Sequence, residues 1–93
     1  MIHQVIIQAR AKKQLLKVPV YVASKLKAWV QLVEARGVES VRELPGYHDE
    51  GLKGARQGQR SIRLSLSYRA IYDIRIAEGR EFVNIVEVSK HAY

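Results

Sequence analysis

The chain has 93 residues, 47% of them hydrophobic, with no cysteine and a formal net charge of +7. This length predicts a single domain, residues 1–93, and the lack of cysteine excludes a disulfide framework and a thiolate metal site. No apolar run reaches the roughly 20 residues of a membrane span, and the first residues lack signal-peptide features, so we expect a soluble cytoplasmic protein with no membrane partner. The excess of cations predicts a polyanionic partner, either nucleic acid or an acidic protein.

The first half of the chain predicts one strand followed by two helices. Ile2–Gln8 is short and rich in β-branched residues, as strands are. Ala9–Lys17 predicts a helix with its cations outward, and Pro19 is placed to begin a second helix that ends at Gly37. The apolar residues of that second helix follow a 3.6-residue repeat and predict its buried side: Val22, Leu26, Trp29, Val30 and Val33.

A glycine-rich loop, Tyr47–Gly58, separates this half from three predicted strands. These are Arg60–Leu66, Tyr68–Ile76 and Glu81–Ser89, with a hairpin turn at Ala77–Arg80. The first of the three alternates Ile62, Leu64 and Leu66 with Ser61, Arg63 and Ser65, the period of a half-buried strand. The element order predicts an α+β fold of strand, two helices and three antiparallel strands, with the helices packed on one face of the sheet.

The cations are segregated along the sequence. Residues 1–33 hold six Lys and Arg and no acid, and residues 53–72 hold five and no acid. A strand that is buried on one side and cationic on the other is suited to hold a polyanion. We therefore predict that Lys53, Arg56, Arg60 and Lys90 contact the polyanion, with RNA as the candidate.

Metal catalysis is disfavoured, because His3, His48 and His91 lack the spacing of metal ligands and the chain has no cysteine. Cleavage of RNA needs neither metal nor cofactor, since the 2′-hydroxyl can attack its own phosphate. The protein must then accept a proton, neutralise the phosphorane and protonate the leaving oxygen. Glu50, Arg63, Arg69 and His91 supply side chains of the required types.

Four segments resemble the RelE/HigB group of the RelE/ParE superfamily of type II toxin–antitoxin toxins: residues 47–54, 59–64, 67–72 and 88–93. The resemblance covers essentially the whole chain and implies a single RelE-like domain of the mRNA interferase branch. It implies a metal-independent endoribonuclease that needs no cofactor, cleaves mRNA, acts at the ribosome and so inhibits translation. It also implies a cognate antitoxin as the protein partner.

The resemblance also assigns roles to individual residues. Glu50 resembles a general base, with His48 as a rival base from the same loop. Arg69 matches the arginine that stabilises the scissile phosphate, and Arg63 resembles a basic strand residue of the family.

At the end of the sequence, His91 resembles a general acid and Tyr93 an aromatic that stacks on a base. Ala92 separates these two residues here, whereas they are adjacent in some relatives.

Other interpretations of these residues remain open. Glu50 could pair with Lys53, and Arg69 could pair with Asp73. The same fold carries ParE-like proteins, which poison DNA gyrase and cut no RNA, and a basic surface could serve an RNA-binding module without chemistry. Glu50, His91 and Tyr93 favour the nuclease, because a gyrase poison needs none of them.

Overall fold

The computed structural model describes residues 1–90, so His91 and Tyr93 lie outside the described residues. Within that range the strands form one five-stranded sheet in the order β1-β5-β4-β3-β2. β1 runs parallel to β5, and the remaining neighbours are antiparallel. The elements are β1 (Val5–Ile7), α1 (Ala9–Leu15), α2 (Val20–Arg36), α3 (Val38–Val41), β2 (Glu50–Gly51), β3 (Arg60–Arg63), β4 (Tyr68–Ala77) and β5 (Arg80–Lys90).

The core lies between α2 and one face of the sheet, which confirms the predicted α+β arrangement. Four of the five predicted stripe residues of α2 are buried, and Val30 is half-buried. Trp29 is fully buried, as predicted, with its ring centroid 5.1 Å from that of Tyr72 on β4. No helix within residues 1–90 is both long enough and apolar enough to span a bilayer.

Two departures from the predicted elements matter for the site. The predicted loop contains β2, a two-residue strand paired with β3. β3 ends at Arg63, so the expectation that Leu66 continues its buried side is wrong, and Leu66 is 78% exposed. The chain turns instead at Ser65, whose Oγ accepts hydrogen bonds from the backbone N–H of Ser67 (3.2 Å) and Tyr68 (3.1 Å).

Candidate active site

A cleft opens on the sheet face opposite α2, where β2, β3 and β4 lie side by side. In the ladders Glu50 is opposite Ser61 and Arg63 is opposite Arg69, so these side chains share that face. The cleft has a volume of about 50 Å³ and is lined by His48, Glu50, Ser61, Arg63, Ser65, Leu66 and Arg69. The structure thus brings Glu50, Arg63, Arg69 and the rival base His48 together.

Arg63 and Arg69 give the cleft its positive charge. Arg63 is exposed and Arg69 is half-buried. Within residues 1–90 neither guanidinium forms an ion pair, and the buried Nε of Arg69 has no hydrogen-bond partner. Asp73 accepts instead from Arg75 (3.3 Å) and Asn84 (3.0 Å), so it is not the partner of Arg69. A buried polar group without a partner is costly, and two guanidiniums without an ion pair are charged donors suited to bind an anion in the cleft.

Glu50 faces this charge from β2. Its side chain is exposed, and no ion pair joins it to Lys53 in the described part of the chain. Glu50 and Arg63 are diagonal neighbours in the β2–β3 ladder, about 7–8 Å apart at Cα. The cleft therefore presents a carboxylate on one side and two guanidiniums on the other.

No family model and no curated protein matches the chain, but solved structures do. A YoeB/ParE toxin from Agrobacterium tumefaciens superposes with a TM-score of 0.72 at 12% identity, covering 96% of this chain and 99% of that one. YafQ from E. coli gives 0.69 at 16% identity, over 95% and 92%. The RelE–RelB complex from Pyrococcus horikoshii gives 0.68 at 22% identity, over 97% and 96%. The chain has the RelE-type toxin fold. The fold implied by the resemblance is confirmed, and the HigB branch stays a prediction.

In this RelE-type fold the loop before β2 is held by a carboxylate that the sequence analysis did not select. Asp49 Oδ2 accepts a hydrogen bond from Tyr72 Oη (2.6 Å), and Oδ1 accepts one from Arg60 Nε (2.6 Å). Arg42 Nε donates to the same Tyr72 hydroxyl (3.0 Å). Burial, followed by the hydrogen bond to Asp49, raises the pKa of Tyr72, so the phenol stays protonated and donates.

Arg56 and Arg60, predicted to bind RNA, have partners within this fold. Arg60 pairs with Asp49, and Arg56 Nη2 lies 2.8 Å from Glu87 Oε1. The hydrogen bond from Arg56 is the main reason that the pKa of Glu87 lies below its usual range. Much of the positive charge of both arginines is therefore balanced inside the protein.

Lys53 and Lys90, also predicted to bind RNA, are exposed. Lys90 Nζ lies 6.0 Å from the centre of the Tyr68 ring, and neither lysine forms an ion pair within residues 1–90. The two lysines are therefore the members of the predicted set most available to a phosphate backbone.

The described residues include few groupings of metal-ligand side chains, and the carboxylates of Asp49, Asp73 and Glu87 pair with arginines. Among residues 1–90 no group of three or more His, Asp or Glu is placed to hold a metal ion. The donor types in the cleft are a carboxylate, an imidazole, hydroxyls and guanidiniums. Such a set is suited to proton transfer beside a bound anion.

Proposed function

We propose that this chain is the toxin of a type II toxin–antitoxin system and that it is an endoribonuclease that cleaves mRNA. The observation that carries the proposal is the cleft, where Glu50 faces Arg63 and Arg69 on a RelE-type fold. The proteins of similar fold support it, since their names describe toxins and toxin–antitoxin complexes.

The chemistry follows from the groups around the cleft. Glu50 takes the proton of a 2′-hydroxyl, whose oxygen attacks the neighbouring phosphorus and displaces the 5′-oxygen of the next nucleotide. Arg63 and Arg69 stabilise the negative charge of the phosphorane. Because the nucleophile belongs to the RNA, no activated water and no metal ion are required.

The leaving 5′-oxygen needs a proton, and the resemblance assigns this role to His91. Tyr93 would stack on a neighbouring base. Both residues lie outside the described range, so these two roles rest on the resemblance alone.

The proposal includes three partners. An antitoxin would neutralise the toxin by covering the cationic cleft with an acidic segment, as RelE is found in a complex with RelB in Pyrococcus horikoshii. Ribosome-associated mRNA would be the substrate, and ribosomal RNA would contact the basic surface. The compartment that holds all three is the cytoplasm.

The experiment uses purified wild-type protein with an mRNA, both free and on translating ribosomes, and with a DNA of the same sequence. We expect the RNA to be cut and the DNA to be spared, because DNA lacks the 2′-hydroxyl. Glu50→Gln should lower the cleavage rate by about 10²–10⁴-fold. His48→Asn removes the imidazole but keeps a residue that tolerates the left-handed backbone at position 48 (φ 46°), and it should lower the rate much less. A larger loss for His48→Asn would make His48 the base.

Mapping of transcript 5′ ends after brief induction tests the role of the ribosome. Cuts in phase with codons would support action on translating ribosomes, and unphased cuts would support action on free RNA. An absence of cuts, together with inhibition of DNA supercoiling by gyrase, would favour a ParE-like gyrase poison. That second candidate is kept because the Agrobacterium tumefaciens structure is described as a YoeB/ParE toxin.

A further inference from the structure

Asp49 stands between the two candidate bases but faces the opposite way. Its side chain is completely buried, whereas His48 and Glu50 are exposed and line the cleft. The β2–β3 register explains the difference, since Glu50 is opposite Ser61 on the cleft face and its neighbour therefore points to the core face.

The buried carboxylate joins the loop to the sheet. Arg60 on β3 and Tyr72 on β4 are directly opposite each other, and each donates a 2.6 Å hydrogen bond to a different oxygen of Asp49. Arg42, which follows α3, donates to the Tyr72 hydroxyl, and the Trp29 ring packs against the Tyr72 ring. Asp49 is therefore fixed by both of its oxygens to groups that are themselves held in place.

Apart from Asp49, the loop is held by the buried Tyr47, by the Leu52 N–H, which donates to the Gln59 carbonyl (2.9 Å), and by the short strand β2. β2 is two residues long and its only ladder pairs within the described chain are Glu50 with Ser61 and Gly51 with Arg60. His48 has a left-handed backbone, and Gly51 follows Glu50 directly. A ladder this short is marginal on its own.

We propose that Asp49 is a positioning residue, clamped by Tyr72 and Arg60, that holds residues 48–51 so that Glu50 faces the two arginines across the cleft. This inference rests on the proposed function for its catalytic consequence. Its structural consequence, a loop ordered through Asp49, does not depend on the function. The clamp touches neither RNA nor the reacting atoms.

Two variants weaken the clamp in different ways. Asp49→Asn keeps the size of the side chain but loses its charge and one of its two acceptor oxygens. Tyr72→Phe removes one donor and leaves the ring and the Arg60 pair in place. If Glu50 is misplaced, kcat should fall by about 10–100-fold in Asp49→Asn, and less in Tyr72→Phe. KM should stay within about twofold, because Glu50 acts in the transition state rather than in binding.

The test is a double-mutant cycle between Asp49→Asn and Glu50→Gln, with Asp73→Asn as the matched control. Asp73 also accepts hydrogen bonds from an arginine and a second side chain, but it lies four residues from Arg69 along β4, about 13 Å away. In the Glu50→Gln background, Asp49→Asn should lower kcat little further, because the carboxylate that Asp49 positions is already absent. Asp73→Asn should leave kcat unchanged in both backgrounds.

Amide hydrogen exchange on the same proteins gives a second measurement that needs no RNA. Asp49→Asn and Tyr72→Phe should speed exchange at residues 50–52 while Asp73→Asn does not. Additive losses in the cycle, or exchange at residues 50–52 equal to that of wild type, would overturn the proposal. If wild-type protein cuts mRNA neither free nor on ribosomes, the proposed function fails and the exchange result alone decides whether Asp49 orders the loop.

Discussion

Arg63 and Arg69 lie directly opposite each other in the β3–β4 ladder, and both side chains line the cleft. Like charges in this position repel, and no carboxylate within residues 1–90 pairs with either of them. The protein therefore maintains an unfavourable contact at this site. A phosphate between the two guanidiniums would relieve this repulsion, so the same pair of residues that is unfavourable in the free protein would bind the substrate in the proposed function.

Arg69→Gln should lower RNA cleavage without lowering the stability of the protein. We expect cleavage to fall by about 10²–10³-fold, because a preorganised donor to the phosphorane is lost. The free energy of unfolding at low salt should stay equal or rise by about 0.2–1 kcal/mol, because the repulsion is removed.

Urea denaturation and a cleavage assay measure these two effects of Arg69→Gln. Inorganic phosphate should raise the Tm of wild type more than that of the variant. A variant that is less stable than wild type, or that responds equally to phosphate, would contradict an anion site built on Arg69.

The sequence was informative where its pattern is local. The alternation in β3 placed Arg63 on the correct face, and the α2 repeat identified the buried Trp29. Leu66 was misplaced because the pattern continues past Arg63, whereas the backbone turns at Ser65. Periodicity shows which face a residue occupies but not where a strand stops.

The clamp below the cleft was missed for a different reason. A carboxylate in a glycine-rich loop is normally exposed, whereas Asp49 is buried against Arg60 and Tyr72, which lie 11 and 23 residues later. β2, at two residues, is too short for a periodic signal. The one available hint was the position of Asp49 between His48 and Glu50, because in an extended segment the middle residue faces away from its two neighbours.

Gly37→Ala should destabilise the protein. Gly37 has φ of +87°, and an added Cβ would lie 2.9 Å from the Met1 Cβ. The N-terminal segment is held there, since Val38 N–H donates to the Ile2 carbonyl (2.8 Å). We expect a loss of about 1–3 kcal/mol in the free energy of unfolding, measured in urea.

Gly58→Ala is the matched control for this variant, because Gly58 also has a positive φ (+95°) but nothing lies within 4 Å of its added Cβ. It should cost only the backbone strain, about 1 kcal/mol, and therefore less than Gly37→Ala. Equal losses at both glycines would show that the contact with Met1 is unimportant.

Glu87 should make stability depend on pH. Arg56 lowers the pKa of the folded-state carboxyl, so the ion pair stabilises the protein fully above the unfolded-state pKa of about 4.3. That contribution is lost as pH falls through the lowered folded-state pKa. Glu87→Gln should therefore cost about 1 kcal/mol at pH 7, a modest value because the Arg56 side chain is 37% exposed.

The difference between Glu87→Gln and wild type should shrink when unfolding in urea is measured at pH 3 to 4. Glu43 is exposed and forms no ion pair within residues 1–90, so Glu43→Gln should have a small effect at every pH. A cost for Glu87→Gln that persists unchanged at low pH would contradict the role of charge in this pair.

Lys53 and Lys90 should contribute more to RNA binding than Arg56. Both lysines are exposed, whereas Glu87 already neutralises Arg56. With an uncleavable 2′-deoxy strand, Lys53→Gln or Lys90→Gln should reduce the slope of log Kd against log salt by about 0.7, one phosphate contact. Arg56→Gln should change the slope less.

Lys27→Gln is the control, since Lys27 lies on the helix that covers the opposite sheet face, and it should leave the slope unchanged. If Arg56→Gln lowers the slope as much as Lys53→Gln, the ion pair with Glu87 opens when RNA binds.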